Sequence, residues 1–174
     1  TSMMWREDFA TNLADGWTLD GSVVPHDERS RVRAAGSMDT TIADLAKFAA
    51  GYVDGEGLAP QHGAALTAPQ LAIGTASQFP TLQPLLPDAQ RRADVAAGLG
   101  VVVFGGPQGP GFMKGGHDDA TGNMLVCVKR GRRCVVILSN DVRAEAAFPQ
   151  LIRYVLGETG AALRWEYGDM RFVE

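Results

Sequence analysis

"FMKGGHDDATGNMLVCVKRGRRCVVILSND", residues 112–141, consists of two apolar runs about a turn, entered through a lysine in a glycine-rich corner. The runs NMLVCVK and RRCVVILSN flank Arg130-Gly131 and read as a β-hairpin. Neither alternates apolar with polar residues. Both are apolar nearly throughout, so their sheet is expected to be covered on both faces. Just upstream, GLGVVVFGG (98–106) is β-branched and bounded by glycines, PQGPG turns the chain, and FMKGG returns it as a strand. An antiparallel sheet over 98–140 follows, with Lys114 on a strand next to a groove.

Outward from this sheet the pattern becomes helical. In AAGSMDTTIADLAKFAAGYVDGEG, Thr41 followed by Asp44 resembles a capping box, with the acid in the first turn where the helix dipole favours it. Ile42, Leu45, Phe48, Ala49 and Tyr52 share one face, and Gly55 and Gly57 end the pattern, so a helix is predicted over 41–52. Residues 58–95 carry Pro60, Pro69, Pro80, Pro84 and Pro87, which limit helices to short ones, the best being TAPQLAIGTAS, entered through Thr67. A last helix is expected from about 146 to 156, with Pro149 in its first turn and Gly157 as its stop. Residues 1–36 show no sustained period and read as irregular, with at most a short helical turn. The order predicts an α+β fold: an antiparallel meander sheet flanked by helices, in a single domain over residues 1–174.

Composition sets the class. With 174 residues, 45% of them hydrophobic and 21% charged, the chain is long enough for one domain with a sizeable core. A net charge of −4 argues against nucleic acid or an anionic membrane as main partner. The longest apolar run, residues 134–138, is strand-sized, so no transmembrane segment is expected. The N-terminal residues TSMMWREDF show no basic-then-apolar export pattern. His26, His62 and His117 lack ligand spacing, so neither a metal nor another cofactor is indicated. His117, Asp118 and Asp119, adjacent on an extended chain, would point to alternating faces. Cys127 and Cys134 face each other if Arg130-Gly131 forms a two-residue turn, and buried free thiols in a core strand are favoured over a cross-strand disulfide.

Lys114-Gly115-Gly116-His117-Asp118-Asp119-Ala120-Thr121-Gly122 resembles the third motif of the penicillin-recognising serine hydrolases, the family of serine β-lactamases, D-alanyl-D-alanine carboxypeptidases and class C-like esterases. Their Lys-Thr/Ser-Gly lies on an edge strand beside the active site and continues in many carboxypeptidases as Lys-Thr-Gly-His-Thr-Asp. The match runs on without gaps through an apolar strand, a turn and another strand to Leu138-Ser139-Asn140. AAGSMDTTIADLAKF resembles a second family segment, Ala-Gly-Gly-x-x-Ser-Thr-x-x-Asp-Leu-Ala-x-Phe, in the right order. The resemblance spans most of residues 30–157. It implies a partial β-lactamase/transpeptidase-like fold and an acyl-enzyme mechanism on an amide or ester: an acyl-D-alanyl peptide, a β-lactam or a small ester. It assigns Lys114 the positive charge beside the nucleophile and His117 a backbone N–H of the oxyanion hole, the two catalytic positions. Gly115, Gly116 and Asp118 become substrate-binding, the glycines letting an extended substrate approach the strand edge. A periplasmic or exported setting goes with the family.

Two departures qualify that reading. Gly115 replaces the family's hydroxyl residue and removes a donor to a substrate carboxylate, which leans away from an efficient β-lactamase. None of Ser2, Ser22, Ser30, Ser37, Ser77 and Ser139 has a lysine three residues on, and no Tyr/Ser-x-Asn is present. The expectation is therefore the C-terminal part of a parent hydrolase whose nucleophile lies in an N-terminal half outside this chain. Exposed apolar surface would then meet that half, or another copy in a homo-oligomer. Three alternatives stand beside it. One is a non-catalytic module that binds a peptidoglycan-like peptide or regulates. Another is a hydrolase using Thr1 as nucleophile, for which the first residues show no strand pattern. The third makes Lys114 merely a charge that guards a strand edge.

Overall fold

The structure, a computed structural model, describes residues 1–26, 31–33, 35–168 and 170–173. Residues 27–30 and Ala34, which the irregular reading of 1–36 included, lie outside the described residues. The fold is α+β. Two short strands, β1 (Gly16–Trp17) and β2 (Val23–Val24), form a ribbon. Six more form one antiparallel sheet in chain order: β3 (Leu71–Ala72), β4 (Val95–Ala97), β5 (Val102–Phe104), β6 (Gly111–His117), β7 (Gly122–Val128) and β8 (Arg133–Ser139).

The β7–β8 hairpin forms where the apolar runs place it. Its turn centres on Arg130-Gly131 and is closed by Arg132 N–H donating to the Lys129 carbonyl at 3.0 Å. Gly131 takes a φ of 74° there, which glycine adopts without steric cost. The register sets Cys127 opposite Cys134 with Cα atoms 4.1 Å apart, and the two form a disulfide. This corrects the expectation of free thiols. A directly facing cross-strand pair holds its side chains closer than any other pair on a sheet, which a preference based on burial alone neglects.

Both sheet faces are covered, as the unbroken apolar runs require. On β6, Phe112 faces one way and Met113 the other. The Met113 side joins Phe104, Met124 and Val126 to the helix α3 (Phe148–Leu156) through Phe148, Ile152 and Leu156. The Phe112 side packs with Val103, Leu125 and Cys127 under the helix α1 (Ile42–Asp54) through Ala49 and Tyr52.

Helix α1 starts at Thr41, whose Oγ1 accepts from Asp44 N–H at 3.2 Å, and ends at Gly55 with φ 68°. Only half of the capping box closes, because the Asp44 carboxylate accepts from the Thr1 hydroxyl at 2.8 Å instead of turning back. Of its predicted apolar face, Ala49 is buried while Ile42 and Phe48 are 51% and 58% exposed. Helix α3 has Pro149 in its first turn and Gly157 as its stop, after a 3-10 helix, Val142–Ala147.

The segment 58–95 differs from expectation. Its helix is α2 (Pro60–Leu66), with Pro60 at the start and Thr67 at the end, while Leu71 and Ala72 pair with Ala97 and Ala96. Pro69 explains this: proline disfavours helical geometry at the residue before it, so TAPQLAIGTAS enters the sheet. A last short helix, α4 (Leu163–Tyr167), follows α3. Among the described residues no helix is long and apolar enough to cross a membrane.

Candidate functional site

The site is the far end of β6. Strand β5 pairs with β6 only as far as Val102 opposite Met113, whereas β7 pairs along its whole length to Gly122 opposite His117. Among the described residues, 114–117 therefore have a strand on one edge and none on the other. The direction of their amides follows from two bonds that bracket them. Lys129 N–H donates to the Pro110 carbonyl at 3.0 Å, and Asp118 N–H to the Thr121 carbonyl at 3.1 Å. Hydrogen-bonded pairs alternate along an antiparallel ladder, so Phe112, Lys114 and Gly116 turn their backbone groups toward β7. Gly115 and His117 turn theirs to the free edge. Lys114 is exposed, and its Nζ donates to the Gly115 carbonyl at 2.8 Å, on that same edge.

The two glycines have different reasons. A Cβ on Gly116 would meet nothing within 4 Å, so its side chain position is open space. A Cβ on Gly115 would lie 1.9 Å from Glu166 Oε1. Gly115 thus makes room for a protein carboxylate.

Two carboxylates stand behind the strand. Glu166, on α4, is 9% exposed, and Glu145, on the 3-10 helix before α3, is fully buried. Glu145 fills the space that a side chain on Gly122 would need, its Cγ lying 2.4 Å from that Cβ position. His117 Nδ1 is 3.4 Å from Glu145 Oε2, and the His117 side chain is 39% exposed, so it links the buried acid to solvent. The Tyr167 ring sits edge-on to His117 at 6.2 Å. Glu145 Oε1 and the Tyr167 hydroxyl are buried without a hydrogen-bond partner among the described residues.

Burial pushes the Glu145 carboxyl above its ordinary range, against the pull of His117, and the neighbouring Glu166 and Asp118 add to the rise. Burial likewise raises Glu166, with Lys114 and His117 opposing. The Tyr167 hydroxyl is raised by burial and by both glutamates. Chemically the site joins a free strand edge with two outward N–H groups, an ammonium, and an imidazole beside a buried carboxyl.

Asp118 lies in the turn that follows β6. Its Oδ1 accepts from Ala120 N–H at 2.9 Å, Thr121 N–H at 2.7 Å and the Thr121 hydroxyl at 3.1 Å, closing the β6–β7 turn. Burial works to raise its carboxyl, but these hydrogen bonds prevail and hold it below the ordinary range.

Sequence reasoning brought Lys114, Gly115, Gly116 and His117 to one strand end and missed Glu145, Glu166 and Tyr167. The available signal was a glutamate set among apolar neighbours, in Ala144-Glu145-Ala146 and Trp165-Glu166-Tyr167. Compared with known proteins, the chain matches no family model, no curated protein and no solved structure.

Proposed function

We propose that this chain is the C-terminal part of a penicillin-recognising-type serine hydrolase, a partial β-lactamase/transpeptidase-like fold whose parent acylates a serine outside these residues. The observation that carries the reading is the free edge of residues 114–117, with Lys114 exposed on it and the His117 N–H directed along it. An extended acyl substrate adds to such an edge as a further strand. The His117 N–H then donates to the oxyanion that forms on the scissile carbonyl, and the Lys114 charge favours the anionic intermediate. Lys114 now donates to Gly115 O, the acceptor that substrate N–H would use, so binding exchanges one bond for another.

The opposite border of the sheet supports a larger parent. Among the described residues no strand pairs with the outer edge of β8, which is only partly buried from residue 134 to 139, and Ile42 and Phe48 stand exposed on the adjoining α1. Strands from an N-terminal half would cover both. The substrate is an amide or ester of the acyl-D-alanyl, β-lactam or small-ester kind. A second reading, a non-catalytic peptide-binding module, draws on Gly115: the space beside it holds Glu166, so no side chain hydroxyl there can receive a substrate carboxylate.

Labelling with a fluorophosphonate and a fluorescent penicillin separates the two. The protein encoded by the reading frame extended upstream should label covalently on a serine, and the 174-residue chain alone should not. Labelling of the isolated chain would place the nucleophile within it. An extended protein that resists both reagents but binds an acyl-D-alanyl peptide would establish the second reading.

A further inference from the structure

Between the β3 end of the sheet, α3 and α4 lies a cavity of about 750 Å³ that neither Lys114 nor His117 lines. Its volume falls within the range of small-molecule sites, roughly 300–1,000 Å³. The wall is apolar: Ile73, the buried Val95, Phe172 and the face of Trp165, whose Nε1 is tied to Thr75 Oγ1 at 3.0 Å. All the charged residues in the lining are arginines, namely Arg91, Arg92, Arg153 and Arg164. In a chain of net charge −4 that is a marked local bias.

Three of the guanidinium groups are engaged: Arg91 with Asp88 at 2.6 Å, Arg92 with Asp94 at 2.5 Å, and Arg153 with Glu158. These carboxylates do not line the cavity, and Arg91 and Arg92 are held further by donating to the Leu86 carbonyl at 2.6 Å and the Gly160 carbonyl at 2.8 Å. Arg164 has no hydrogen-bond or ion-pair partner among the described residues.

We propose that this cavity binds an amphipathic carboxylate, its acyl or aryl body against Trp165 and Phe172 and its head group on Arg164. An apolar wall with a cationic mouth rewards both parts of such a molecule and neither a bare anion nor a neutral hydrocarbon in full. The site is separate from the strand edge at Lys114, and the assignment does not depend on the hydrolase reading.

Decanoate is the probe, titrated into the 174-residue chain by calorimetry and by tryptophan fluorescence. Saturable binding is expected, with the fluorescence change abolished in Trp165→Phe because Trp5 and Trp17 do not line the cavity. Decylamine, with the same tail and the opposite charge, should bind at least about tenfold more weakly, the scale of one charge-assisted contact. Arg164→Glu should weaken decanoate by a similar factor while circular dichroism stays unchanged. Equal affinity for decanoate and decylamine would reduce the cavity to an apolar crevice and overturn the proposal. So would unaltered decanoate binding by Arg164→Glu, or partition into anionic phospholipid vesicles without saturable decanoate binding.

Discussion

Gly115 is a glycine because Glu166 occupies the space a side chain would take. Restoring a hydroxyl there, as Gly115→Ser, should cost stability by roughly 1–3 kcal/mol, the range for overpacking a filled site. In a Glu166→Ala background the clash is gone and the same substitution should cost much less, a coupling that urea unfolding of the four proteins measures. Equal cost in both backgrounds would mean that the carboxylate does not sit against the strand. The neighbouring positions divide function from packing. On the proposed hydrolase reading, Lys114→Ala in the extended parent should lower kcat/KM for an acyl substrate by about 2–4 kcal/mol, the scale of losing one oxyanion donor. His117→Ala keeps the edge-directed N–H and should lower it far less, although it strips the buried Glu145 of its imidazole neighbour and so should show in stability. Steady-state kinetics with a melting curve on each variant separate the two effects, and a larger kinetic loss at His117 would assign chemistry to the imidazole.

At the level of elements, the β7–β8 hairpin carries a cross-link whose cysteines are only seven residues apart. So short a loop removes little unfolded-chain entropy, and reduction should lower stability by about 2 kcal/mol. A thiol titration of the denatured, unreduced protein should find no free cysteine, and two titrating thiols would restore the free-thiol expectation. The hairpin was legible because β-branched runs around a glycine turn specify strand pairing locally. The same holds for α1, whose cap and glycine stop are written within its own residues, and for α3 with Pro149 and Gly157 at its two ends. Strands β3 and β4 were not legible, since Leu71, Ala72, Ala96 and Ala97 have little strand preference and are fixed by their partners. The site divides the same way. Lys114 and the free edge follow from one contiguous motif, whereas Glu145 and Glu166 reach Gly122 and Gly115 from far along the chain, and no local spacing announces such contacts.

Across the whole molecule the carboxyl groups pull stability in two directions with pH. Asp20 is held down to about 2 by hydrogen bonds from Thr18 and Ser22, and Asp118 is held low by its turn. Such groups contribute stability above their unfolded pKa, and that contribution is lost as pH falls through the folded value. Glu145 and Glu166 act oppositely, because burial raises them. Below the unfolded carboxylate value, roughly 4.3, both states are protonated and burial carries no ionic penalty. As pH climbs above it the unfolded chain releases these protons while the folded chain keeps them, so stability declines until the raised folded values are passed. Lys114, His117 and Asp118 face the same pair and are unchanged in Glu145→Gln and in its combination with Glu166→Gln. Glu145→Gln should therefore flatten the loss of stability as pH rises above the unfolded carboxylate value, and Glu145→Gln with Glu166→Gln should flatten it further. Urea unfolding across a pH series gives the slope directly. An unchanged slope in the double variant would mean that the two acids ionise in the folded chain as freely as in the unfolded one, and that the pocket behind β6 is wet.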